Sequence, residues 1–185
     1  MPHTSFTNEQ KQQLLDLAYT AIKSRFDPRT GLKPIEESWM TPLRATFVTL
    51  KINGVLRGCI GSINPVRSLL EDIWHNAQAA AFQDPRFPPL SENEIEKISI
   101  ELSVLSEVQV LSVATETELL QVIRPGVDGL IIEDGHRKAT FLPSVWEQLP
   151  DAQQFLNQLR LKAGMPDGYW SETLQCSIYQ AEKID

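Results

Sequence analysis

Cysteine is nearly absent from this chain, basic residues never cluster, and no apolar run is long. The 185 residues include two cysteines, Cys59 and Cys176, with no Cys-x-x-Cys and no Cys/His spacing. Neither a disulfide framework nor a structural zinc site is expected from so few ligands, and a reducing compartment fits. No run of Lys or Arg exceeds two residues, at Arg137-Lys138, and the formal net charge is −7. That footprint argues against a protein whose affinity comes from neutralising phosphates, so no nucleic-acid partner is expected. The longest uninterrupted apolar run is four residues, Ala79 to Phe82, so no membrane span is expected. The opening Met1-Pro2-His3-Thr4-Ser5 lacks the layout of a signal peptide, and a cytoplasmic location is the expectation. No G-x-S-x-G elbow, P-loop or Gly-x-Gly-x-x-Gly occurs, which removes support for serine hydrolase, P-loop and Rossmann chemistry. His75 and His136 stand apart from other ligands, so neither a metal nor a cofactor is expected.

What is present is an ordinary globular composition, 42% apolar and 22% charged, with twelve prolines against nine glycines. A chain of this length supports one sizeable core. Thr7-Asn8-Glu9-Gln10 reads as a capping box that opens a helix carrying Leu14, Leu15, Ala18 and Ile22. Asp27-Pro28 ends it, and the Gly/Pro-punctuated connection to Arg44 is a candidate functional loop. Ala45 to Ile52 and Val55 to Ile63 flank Asn53-Gly54, the pattern of a hairpin with a two-residue turn. Asn64-Pro65 is expected to start a helix that stops at Asp84-Pro85. Ser91-Glu92-Asn93-Glu94 is a second capping box, and Ile98 to Val104 alternates as a half-buried strand. A short helix is expected after Thr115, and a second hairpin from Gly129 to Leu142 with its turn at Asp134-Gly135. Ser144 to Gln148 and Ala152 to Ala163 read as helical, and Thr173 to Ala181 as one last strand. Hairpins mixed with helices in no βαβ rhythm predict an α+β fold with mainly antiparallel sheets and flanking helices.

The densest chemistry lies in Leu56-Arg57-Gly58-Cys59-Ile60-Gly61. A regular two-residue hairpin predicts that Ile52 faces Val55, Leu50 faces Arg57 and Val48 faces Cys59. Arg57 and Cys59 then share the apolar face, with Cα atoms about 6.6 Å apart. On one reading Cys59 is a small core residue and Arg57 a structural cation. On the other, Arg57 and the start of the next helix surround Cys59 with positive potential and activate or recruit to its thiol. Gly58 and Gly61 weaken a strand unless something needs room, which adds them as binding candidates. Asp84 and Arg86 flank Pro85 and are candidates for a local pair, the alternative being a rigid exposed turn. Glu101 is a candidate carboxylate partner for Arg57, the alternative being a solvated strand residue.

This hexapeptide resembles that of the AMMECR domain family (AmmeMemoRadiSam system protein A). The likeness continues at Asp84-Pro85-Arg86-Phe87-Pro88-Pro89-Leu90, Ile100 to Leu105, Gly126 to Leu130, Thr140 to Val145 and Leu161 to Gly164. It implies a single domain over residues 1–185, built of two intertwined sub-domains that form a cleft. It also implies association with a Memo-like protein and a radical SAM protein. It supplies no reaction. The leading expectation is a component that binds a small molecule or partner through Arg57 and Cys59, with Gly58, Gly61, Asp84, Arg86 and Glu101 around them. The enzymatic alternative makes Cys59 a nucleophile or redox thiol, with Arg57 stabilising negative charge. A third alternative is an RNA-linked regulatory protein.

Overall fold

The computed structural model describes residues 5–27, 29 and 37–185, so part of the connection singled out between Pro28 and Arg44 lies outside the described residues. The fold is α+β, with two antiparallel sheets and flanking helices. The chain divides into two compact units. The first runs to Leu105 and takes back Glu182–Asp185, and the second is Ser106–Ala181.

In the first unit, α1 (Asn8–Lys23) starts where the capping box places it. The Thr7 hydroxyl accepts from the Gln10 amide, and the Gln10 side chain accepts from the Thr7 amide. Strands β1 (Thr46–Ile52) and β2 (Val55–Gly61) form the expected hairpin, with Asn53 and Gly54 at φ 51° and 79°. α2 (Leu69–Phe82) begins four residues later than Pro65 suggests. An antiparallel bridge between Leu43 and Ser68, with the Arg44 amide donating to the Arg67 carbonyl, ties the intervening residues to the segment before β1 and keeps them out of the helix. Ser68 caps the helix by accepting from the Glu71 amide. β3 (Ile98–Leu105) pairs with β1, and the sheet order is β2-β1-β3-β8, where β8 is Ala181–Ile184. One face of this sheet packs Val48, Leu50, Leu102 and Val104 against Leu14 and Leu17 of α1 and Leu70 and Ile73 of α2.

The second unit has its own core. Its sheet runs β4-β7-β5-β6, from β4 (Gln109–Leu111), β5 (Gly129–Asp134), β6 (Arg137–Phe141) and β7 (Gln175–Tyr179). Helices α3 (Glu116–Val122) and α4 (Ala152–Lys162) supply Leu119, Phe155, Leu156 and Leu159 to a cluster with Leu130, Ile132 and Trp146. Trp146 and Phe155 stack with ring centroids 3.7 Å apart. The β5–β6 turn is Gly135-His136, because Asp134 still pairs with Arg137 and Gly135 carries the positive φ of 60°. Of the stretch expected to be helical, Ser144 to Glu147 lie in a 3-10 helix over Pro143–Glu147, with Gln148 as its C-cap. The single strand expected from Thr173 to Ala181 is two: β7 belongs to this sheet, while β8 (Ala181–Ile184) joins the sheet of the first unit.

Candidate functional site

The β1–β2 hairpin is not regular, and this reassigns the faces of the hexapeptide. Ile52 pairs with Val55 and Lys51 with Leu56, but Leu50 then pairs with Gly58 and Thr49 with Cys59. Arg57 is the extra residue of a β-bulge, which sets two residues of one strand against one of its partner. The expected pairings of Leu50 with Arg57 and Val48 with Cys59 are therefore corrected. Gly58 takes the core face beside Leu50, and a Cβ on it would lie 2.1 Å from the Ala80 carbonyl oxygen of α2. At Gly61 a Cβ would lie 2.2 Å from the Phe47 ring. Close packing within the unit accounts for both glycines.

Cys59 turns to the opposite face, half-buried, with its Sγ 3.3 Å from the Thr49 hydroxyl. Thr49 pairs on its other side with Glu101, so Cys59, Thr49 and Glu101 form a row across β2, β1 and β3. Glu101 is not the partner of Arg57. It is held by Lys51 and by Lys183, the latter at 3.3 Å. Burial pulls its carboxyl upward, but the hydrogen bonds from the two lysines outweigh this and hold it below the ordinary range.

Arg57 is fully engaged elsewhere. Its Nε and Nη2 donate to the two carboxylate oxygens of Glu94 at 2.8 and 3.1 Å. Nη1 donates to the Pro88 carbonyl at 3.0 Å, and Nη2 also reaches the Pro89 carbonyl at 3.4 Å. The Arg57 guanidinium, first, and the Ser91 amide hold the Glu94 carboxyl down to about 2. Nor does a helix N-terminus immediately follow Cys59, since α2 begins at Leu69.

The cation at Cys59 is Arg86. β2 is an edge strand, and on its outer side the Cys59 amide donates to Asp84 Oδ2 at 2.9 Å. Arg86 Nη2 donates to the Cys59 carbonyl at 3.3 Å and to Asp84 Oδ2 at 2.7 Å, and Arg86 Nε donates to Asp84 Oδ1 at 3.0 Å. Asp84 is buried, and its carboxyl is held far below the ordinary range, chiefly by the Arg86 hydrogen bond. The segment from Asp84 to Pro89 is thus bound to β2 at Cys59 and again at Arg57. Two motifs separated by 25 residues meet here, as Cys59 and Asp84 do.

Sequence reasoning missed Thr49 and Glu94. The Ser91–Glu94 capping box was a signal for Glu94, but not for its second role on Arg57. It also missed a buried polar network at the start of α2. There Asp72 accepts from the Thr46 amide and hydroxyl, the Ser62 hydroxyl, the Asn76 amide and Arg67. Among the described residues no group of three or more His, Cys, Asp or Glu side chains gathers as a metal site, and His75 and His136 are exposed. Cys176 is buried in the second unit, its thiol pushed up to about 11 by burial, and makes no disulfide with Cys59.

These features define an α+β protein with a half-buried thiol on a polar sheet face, its edge strand clamped by a proline-rich segment. No described helix is long and apolar enough to cross a membrane. The AMMECR1 family profile matches residues 15–184, and the chain belongs to that family. A protein of Methanothermobacter thermautotrophicus is 33% identical over 186 residues, covering 98% of this chain and 97% of that one. A Methanocaldococcus jannaschii protein is 40% identical over 146 residues, 76% of this chain and 73% of its own length. The crystal structure of an uncharacterised Pyrococcus horikoshii protein superposes with a TM-score of 0.87 at 30% identity, covering 96% and 92% of the two chains.

Proposed function

We propose that this AMMECR1-family protein is a binding component, which engages a small molecule or partner protein through Cys59 and acts with a Memo-like protein and a radical SAM protein. The observation that carries this reading is the row of Cys59, Thr49 and Glu101 on the sheet face away from α1 and α2. A face that served only as core would be apolar there, as the opposite face is. The enzymatic alternative needs a base to activate the thiol. Among the described residues the Cys59 sulfur has a hydroxyl as its hydrogen-bond partner, with no histidine or carboxylate hydrogen-bonded to it. Binding is therefore favoured over nucleophilic catalysis, and Arg57 moves from ligand contact to support of the site.

The test is co-purification of the Memo-like and radical SAM proteins from the same genome with wild type and with Cys59→Ser and Thr49→Val variants. Wild type is expected to retain at least one of them, and the variants to lose it at unchanged fold. Equal retention by all three chains, or none by wild type, sinks the proposal.

A further inference from the structure

Arg86 is built as an anion-recognition group rather than as an ordinary surface arginine. Its side chain is 55% exposed, whereas the Asp84 carboxylate that holds it is 2% exposed. The ion pair therefore points its positive end outward. Nε and Nη2 are spent on Asp84 and on the Cys59 carbonyl, which locks the plane of the guanidinium. Nη1 has no hydrogen-bond partner among the described residues and keeps both its N–H groups. The cation also lies 5.4 Å from the Phe87 ring centroid, further limiting its rotamers. An arginine fixed in this way loses little entropy on binding an anion, and its remaining donors suit carboxylate or phosphate oxygens. In a chain of net charge −7, such a group bonded to the backbone of a half-buried cysteine is a local exception.

We propose that Arg86 is the specificity-determining residue of the Cys59 site and that the ligand carries a carboxylate or phosphate, received on Arg86 Nη1 while its body meets Cys59. This rests on the reading of Cys59 as the functional centre. Asp84 is a positioning residue: it touches the Cys59 amide and Arg86, not the ligand.

Two thiol probes of similar size and different charge test both claims. The full chain is alkylated with neutral iodoacetamide and, separately, with anionic iodoacetate at one pH, and the Cys59 peptide is quantified by mass spectrometry. The ratio of the two rates cancels thiolate content and access, leaving the effect of charge. Relative to the unfolded chain, the native ratio is expected to favour iodoacetate by about fivefold, the scale of one exposed charge pair. It falls back in about 1 M salt, where the Debye length is roughly 3 Å. Arg86→Gln abolishes the preference. Arg124→Gln, which breaks a pair of matching exposure (56% and 0%) in the second unit, keeps it. A native ratio equal to the unfolded one, or a preference that survives Arg86→Gln or vanishes in Arg124→Gln, overturns the assignment of Arg86. A Cys59 inert to both reagents in the folded chain overturns the binding reading beneath it as well.

Discussion

Arg57 ties β2 to Glu94 and to the Pro88 and Pro89 carbonyls, and this tie is pH-dependent. The Glu94 carboxyl stands at about 2 in the fold against 4.5 for the unperturbed group. A depressed carboxyl contributes stability above its unfolded value, and that contribution is lost as pH falls through the folded value. Glu94 therefore stabilises the wild type above about pH 4.5 and ceases to do so between there and about pH 2. Arg57→Ala removes the guanidinium, and urea denaturation at pH 7 is expected to give a loss of about 2 kcal/mol. The wild type should lose about 1 kcal/mol more than the variant between pH 5 and pH 2, below the full linkage value because solvent screens this partly exposed carboxylate. Parallel pH profiles would show that Glu94 is not held by Arg57. Arg57 stood out in the hexapeptide, but its partner was not legible there. Glu94 lies 37 residues away, and only tertiary packing brings the two together.

At the scale of elements, local chemistry was legible and long-range pairing was not. Asn53-Gly54 demanded a two-residue turn, since both positions adopt positive φ. The bulge at Arg57 left no such mark, because Val48, Leu50 and Ile52 alternate whichever residue of β2 is inserted. One inserted residue moves Cys59 to the other face of the sheet. The start of α2 was misplaced for a related reason. Proline suits a first helical turn, but here the residues after it are drawn into the bridge at Ser68, and the Ser68–Glu71 cap starts the helix. The carboxylate one residue beyond that cap ties α2 to β1. Asp72 is fully buried and accepts from Thr46, Ser62, Asn76 and Arg67. Asp72→Asn keeps the shape but sets a new donor against donors, so denaturant unfolding should register a loss of roughly 3 kcal/mol. A loss below about 1 kcal/mol would mean that apolar packing alone anchors the helix.

For the whole molecule, the α+β class followed from the mixture of hairpins and capped helices, whereas the path of the last strand did not follow from its alternation. The pattern from Gln175 to Ile184 runs on with little interruption, yet the chain leaves the second unit's sheet at Tyr179 and enters the first unit's sheet at Ala181. The first unit is therefore completed only by the last residues, where Ile184 is 1% exposed in its core. Glu182 there accepts from the Ser5 hydroxyl and pairs with Lys11 at 3.0 Å. Deleting Glu182–Asp185 strips an edge strand from β3 and one buried isoleucine from the core, at a cost of about 3 kcal/mol or more. The second unit keeps its own cluster around Phe155 and Trp146. Hydrogen exchange followed by mass spectrometry should then show faster exchange in β1, β3 and α2, with β5 and α4 close to wild type, as expected of separate cooperative units. Uniform acceleration through both units would instead mean that they unfold as one block, and that β8 completes the whole chain rather than the Cys59-bearing unit alone.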